Sequence, residues 1–136
     1  MARDAFHNAV RHALEKEGWQ VTDDPLRLTY KKANFEIDLG AERLIAAERA
    51  HERIAVEIKS FASGSALSEF HTALGQYLNY RQALEDQDPT RKLFLAVPQD
   101  TFKTFFQLPF TQEAVELHKL ALIVYQPSTE VIVRWD

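Results

Sequence analysis

The sequence predicts a mixed α/β domain in which a sheet is flanked by helices. Short runs rich in Val, Ile, Leu and Phe, with side chains alternating in character every two residues, recur along the chain and read as strands. Two longer stretches, near 3–17 and 65–86, instead repeat their apolar residues at helical spacing. The two kinds of segment are interleaved, which is the pattern of a sheet covered by helices. The expected order is α-β-β-β-α-β-α-β-β within one domain spanning residues 1–136.

Each element has its own signal. Phe6, Ala9, Val10, Ala13 and Leu14 mark the first helix, and Gly18 followed by Trp19 supplies a stop with an apolar residue beyond it. "TDDP" breaks the chain at Pro25, and "LRLTYKKANFEIDL" reads as two short strands meeting near Lys32 and Ala33. "ERLIAAERAHERIAVEIKSF" reads as a longer hairpin turning between Ala50 and Glu52. Ser65 or Ser68 caps a long helix whose main apolar face is expected from Leu67, Phe70, Leu74, Tyr77 and Leu78. "RKLFLAVP" is a buried strand ended by Pro98. Residues 99–119 are expected to be helical with an interruption at Pro109, and the chain closes with two strands around a Pro-Ser-Thr turn.

Composition narrows the function. At 136 residues, 46% hydrophobic and 11% aromatic, the chain has enough apolar surface for a real core. There is no cysteine, so disulfides and thiolate metal sites are absent. The N-terminal "MARDAFHNAV" has no signal-like apolar run and no window approaches a membrane span, so the expected location is cytoplasmic. The formal net charge of −4 is too acidic for a protein that grips nucleic acid by bulk electrostatics. Contact with DNA would need a local patch, for which Arg27, Lys31, Lys32, Arg43 and Arg81 are the candidates, or a surface completed by a second subunit. Four glycines leave no phosphate-binding loop and no nucleophile elbow is present. His7, His12, His51, His71 and His118 lack the spacing of a zinc helix and read as surface or packing residues.

The strand "RIAVEIKS" carries the chemistry. Alternation sends Ile54, Val56 and Ile58 to one face and Ala55, Glu57 and Lys59 to the other, so a carboxylate and an ammonium stand side by side where an apolar strand is expected. The triplet alone decides little. With 20 acidic residues in 136, an acid-x-lysine triplet is expected about once by chance, and it occurs once. A solvated surface ion pair is the plain alternative. Upstream, "FEIDLG" places Asp38 at the end of an earlier strand. Asp38 and Glu57 together with the Ile58 carbonyl would make an all-oxygen site suited to Mg²⁺ or Mn²⁺. Downstream, Gln76 and Tyr80 stand four apart on the long helix and share a stripe expected to lie away from its main apolar face. Gln76 in solvent and Tyr80 in peripheral packing remain the alternative there.

Asp38, Glu57-x-Lys59 and Gln76-x-x-x-Tyr80, taken in that order, resemble the PD-(D/E)XK nuclease superfamily, and the α-β-β-β-α-β order agrees with its restriction-endonuclease-like core. More closely, "FHNAVRHALEKEGWQVTDDPLRL", "DLGAERLIAAE", "IAVEIKSF" and "ALGQYLNYRQAL" resemble the XisH family, the cyanobacterial fdxN element excision controlling factors, over nearly the whole chain. The resemblance implies a factor that acts with an XisI-like companion and a site-specific recombinase to excise a DNA element during heterocyst differentiation. In an active site of this kind Asp38, Glu57 and the Ile58 carbonyl would hold one cation. Lys59 would position the attacking water, Gln76 would orient the phosphate or the lysine, and Tyr80 would support Gln76. Two further carboxylates compete for supporting roles. Glu17 falls near the centre of the first helix's apolar stripe yet is the last residue before Gly18, and Glu42 follows Asp38 by four residues.

Two function classes follow. One is a Mg²⁺-dependent DNA endonuclease or nuclease-like subunit of a recombination complex, favoured by the intact Asp38, Glu57, Lys59 and Gln76. The other is a catalytically silent nuclease fold that regulates a recombinase through protein contacts, favoured by the acidic net charge.

Overall fold

A computed structural model of the protein describes residues 2–35, 44–62 and 64–136. Helix α1 (Ala2–Lys16) buries Ala9, Val10, Ala13 and Leu14 completely. It ends as Gly18 predicts. With φ at 88°, Gly18 donates to the Glu15 carbonyl at 3.0 Å while Trp19 donates to that of Leu14 at 3.0 Å, and Trp19 packs into the same apolar cluster as Leu14.

Strand β1 (Gln20–Asp23) follows, then a ribbon of β2 (Leu28–Tyr30) and β3 (Ala33–Phe35) joined through Lys31 and Lys32, both in the left-handed region. Strands β4 (Leu44–Arg49) and β5 (Glu52–Ile58) form the longer hairpin, turned by Ala50 at φ 52°. Helix α2 (Ala66–Gln87) starts at Ser65, whose hydroxyl accepts from the Ser68 amide at 3.1 Å. It stops at Asp88, just before Pro89. After β6 (Arg91–Pro98) come α3 (Gln99–Lys103), a 3-10 turn (Phe105–Gln107), α4 (Pro109–His118), β7 (Leu122–Gln126) and β8 (Val131–Trp135).

Six strands form one mixed sheet in the order β1-β4-β5-β6-β7-β8. The pairs β5/β6 and β6/β7 are parallel and the others antiparallel. Each parallel step needs a crossover, which α2 supplies for the first and the α3–α4 segment for the second. Alternation along the strands divides the core in two. Ile45, Ile54, Val56, Ile58, Ala96 and Ile123 face α1, whereas Leu44, Ala55, Leu93, Leu95, Val97 and Leu122 share a cluster with the buried residues of α2 and with Phe106. Among the described residues no helix is long and apolar enough to cross a membrane.

Three details depart from the sequence reading. Five strands precede α2 where the expected order counts three, although the short β2–β3 pair is read segment by segment in the sequence and only β1 is not. The extra elements are short, and β1 is a sheet edge with Gln20, Thr22 and Asp23 exposed, so it carries almost no apolar pattern. The buried face of α2 is rotated from the expected one: Phe70, Ala73, Tyr77, Tyr80, Ala83 and Leu84 are buried while Leu67 is 45% exposed. The small Ala73 and Ala83 let α2 lie close to the sheet, and that brings Tyr80 inward. Finally, the 99–119 segment breaks at Thr104 as well as at Pro109, because Phe105 and Phe106 turn inward to meet Phe70 at 5.5 and 5.7 Å between ring centroids.

Candidate active site

Glu57 stands at the C-terminal end of β5, the sheet's third strand, and Lys59 is the first residue beyond it. Register places Glu57 between Leu44 of β4 and Leu95 of β6, so its neighbours in the sheet are leucines. The carboxylate side chain is 0% exposed. Lys59, at 4%, is nearly as deep, and its Nζ stands 3.8 Å from Glu57 Oε2. The surface-pair alternative is therefore excluded by burial. Removing both charges from water costs several kcal/mol per ion, and only mutual attraction and further polar contacts offset that cost.

The backbone beneath the lysine is pinned from both sides. The Lys59 amide donates to the Ala96 carbonyl at 3.1 Å, and the Tyr125 hydroxyl donates to the Lys59 carbonyl at 3.0 Å. The sequence reading missed Tyr125. It sits in the apolar run "LIVYQ", where only the rule that a buried phenol finds a partner could have pointed to it. Ile58 turns its side chain to the opposite face, 1% exposed in the α1 cluster.

Helix α2 roofs the pair. Tyr80 is 4% exposed, and its phenol is pushed well above the ordinary tyrosine value of 10.0 by burial and by the negative charge of Glu57. Tyr77 is also raised, first by burial and in smaller part by Glu57, against its contacts with the Ala121 amide and Arg81. Its hydroxyl donates to the Leu93 carbonyl and accepts from the Ala121 amide, both at 3.1 Å, which fastens α2 to the sheet. Gln76 is half-buried beside Tyr80, with Oε1 shielded from solvent and without a hydrogen-bond partner among the described residues. A shielded amide oxygen in this position is available to a ligand.

The remaining candidates fall elsewhere. Asp38, Glu42 and Arg43 lie outside the described residues. Glu17 does not join the pair: its carboxylate accepts from the Trp135 indole at 3.1 Å, and Trp135 packs against the α1 cluster, on the face of the sheet opposite Glu57. Arg81 is occupied at the end of α4, donating to the His118 and Lys119 carbonyls at 2.8 and 3.3 Å and lying 5.3 Å from the Tyr77 ring. Arg27, Lys31 and Lys32 are exposed. His7 is buried against Asp24 at 2.9 Å and His12 meets Glu130 at 3.1 Å. Among the described residues no three His, Asp or Glu side chains gather as a metal cluster, so Glu57 is the only expected metal-binding carboxylate that they place.

The architecture is thus a mixed α/β domain carrying a buried Glu-x-Lys pair on a central strand, under a helix that presents Gln and Tyr. Residues 1–133 match the family model described as XisH protein, and the chain belongs to the XisH family. It is similar to the crystal structure of an XisH family protein from Nostoc punctiforme PCC 73102, with 50% identity, a TM-score of 0.90, and coverage of 97% of this chain and 98% of that one. The same figures hold for the crystal structure of an fdxN element excision controlling factor protein from Anabaena variabilis. Among curated proteins no relative matches.

Proposed function

We propose that the protein is a nuclease-like DNA-rearrangement factor that controls excision of a DNA element and acts within a complex with a companion factor and a recombinase. The observation that carries this reading is the fully buried Glu57 beside Lys59 beneath Gln76 and Tyr80. A scaffold gains nothing from burying an ion pair there, since apolar residues of similar volume are as stabilising or more so. The family likeness supports excision control, and setting aside the separate β2–β3 ribbon leaves α1-β1-β4-β5-α2-β6, an α-β-β-β-α-β order that supports the PD-(D/E)XK reading.

In this reading Glu57, the Ile58 carbonyl and Asp38 would hold one Mg²⁺ or Mn²⁺, a fit that rests on the oxygen donors and on the deep carboxylate of Glu57. The cation supplies Lewis-acid stabilisation of the charge that develops at the scissile phosphate. Lys59 balances Glu57 and donates toward the attacking water, Gln76 offers its amide to the phosphate or the lysine, and Tyr80, held neutral, keeps water from the inner wall.

The experiment is cleavage of supercoiled plasmid DNA with Mg²⁺ or Mn²⁺, with and without the companion factor. Cation-dependent nicking that is lost in Lys59→Met supports the endonuclease. A second reading, a silent nuclease fold that regulates by protein contacts, is favoured by the net charge of −4 and the complete burial of Glu57. No cleavage under any of these conditions selects it.

A further inference from the structure

The outward face of α2 is only partly used by this chain: Leu74 and Leu78 pack at the margin of its own core, whereas Leu67, His71, Gly75 and Gln82 are exposed. Gly75 lies in the middle of the helix, exposed and without a positive φ, and a Cβ added there meets no atom within 4 Å. Glycine is the least favourable residue in a helix interior apart from proline, and neither its backbone freedom nor its small size is needed here. Leu67, His71, Leu74, Gly75, Leu78 and Gln82 fall within about 100° of azimuth and form one stripe. Leu67 is 45% exposed. From Phe70 to Tyr80 the helix has no Asp, Glu, Lys or Arg, in a chain that is 26% charged. Depletion of charge with retained apolar residues is the mark of an interface core. Helix α4 runs alongside, with Phe110 6.4 Å from Phe70, and adds Phe110 and Leu117 at 55% and 72% exposure.

Charge identifies the occupant. The last turn of α2 carries Glu85 and Asp86 and no basic residue, the wrong sign for the negative end of its own helix dipole. A second α2 crossing antiparallel about a two-fold axis at Gly75 corrects this, because it sets the second copy's Glu85 beside Ser65 at the positive N-terminus, and the reverse. The same axis puts Gly75 against Gly75, where the missing side chains permit close approach. Leu78 then packs between His71 and Leu74 of the other copy, and Leu67 meets Gln82. We infer that the protein pairs with a second copy of itself through the outer face of α2, in an antiparallel, two-fold contact centred on Gly75. The pairing does not depend on the chemistry of the Glu57 site.

Sedimentation equilibrium of the full chain tests it. The wild type is expected to be a dimer at roughly 100 μM, a range in which a moderately tight interface is occupied. Gly75→Gln, which has open space in the monomer, is expected to weaken dimerisation about tenfold or more, and Glu85→Lys to weaken it less, with circular dichroism and melting showing both variants folded. A wild type that stays monomeric, or a dimer whose affinity neither variant changes, overturns the proposal.

Discussion

At the residue scale, Lys59 and Glu57 depend on each other for their burial. Replacing Lys59 with Met leaves Glu57 at 0% exposure without its neighbouring ammonium, and truncating one member of a buried pair typically costs about 3–5 kcal/mol. Chemical denaturation of Lys59→Met is therefore expected to show a loss of that order, and the double variant Glu57→Gln/Lys59→Met to recover part of it. Equal stability of the single variant and the wild type would contradict the coupling. Tyr80 reports the same charge from above. Its neutral form is favoured in the fold, so the stability it contributes is present below the unfolded tyrosine value near 10 and is lost as pH rises past it. Ultraviolet titration should show a late-ionising tyrosine that disappears in Tyr80→Phe. Alternation alone revealed that Glu57 and Lys59 share a face. Their depth was not legible, because a strand with charges at its end reads the same whether water or a helix lies over it. Tyr125 was hidden for the converse reason, as an apolar-looking residue whose hydroxyl matters.

At the element scale, the strong periodicities became elements and the weak ones did not announce themselves. α1, the β4–β5 hairpin, β6 and β7 follow their patterns closely, since each buries a long apolar stripe or face, while α2 forms where its periodicity predicts but turns a different face inward and β8 forms an edge strand that is half-buried at most. β1 was illegible because an exposed edge strand has no such pattern. The rotation of α2 was illegible because the choice between Leu67 and Tyr80 as the inward residue is made by the sheet, through Ala73 and Ala83. The strand ends opposite the site are held by charge. Asp88 caps α2 and accepts from Arg53 at 2.6 Å and Arg91 at 3.1 Å, while buried Arg91 also donates to the Ile54 carbonyl at 2.9 Å. Partial burial works against the Asp88 carboxylate, but these bonds outweigh it and hold the group below its ordinary value of 3.8. Its contribution is present above about pH 4 and is lost as pH falls further, so Asp88→Asn should flatten the acid limb of the stability curve at a cost of about 1 kcal/mol near neutral pH. Thermal melts across acid pH measure this. An unchanged acid limb would assign the acid sensitivity to other groups.

At the scale of the whole molecule, the net charge of −4 sets how DNA can be approached. Arg27, Lys31 and Lys32 are exposed, whereas Arg81 is committed to α4, which leaves three of the five candidate DNA contacts exposed among the described residues. Binding by the isolated protein should be weak, stronger with Mg²⁺ or a partner, and salt-sensitive with a slope of about −0.9 per neutralised phosphate on duplex DNA. A salt titration of fluorescence anisotropy reads that slope. The absence of any binding at low salt, with cation and companion factor present, would leave protein contacts as the only mode of action. The central claim is that the buried pair belongs to a cation site, and direct titration of Mn²⁺ into the protein by calorimetry tests it most closely. The prediction is one ion per chain, lost in Glu57→Gln and in Asp38→Asn and retained in Lys59→Met. Binding that survives Glu57→Gln undiminished, or no binding to the wild type, would contradict it.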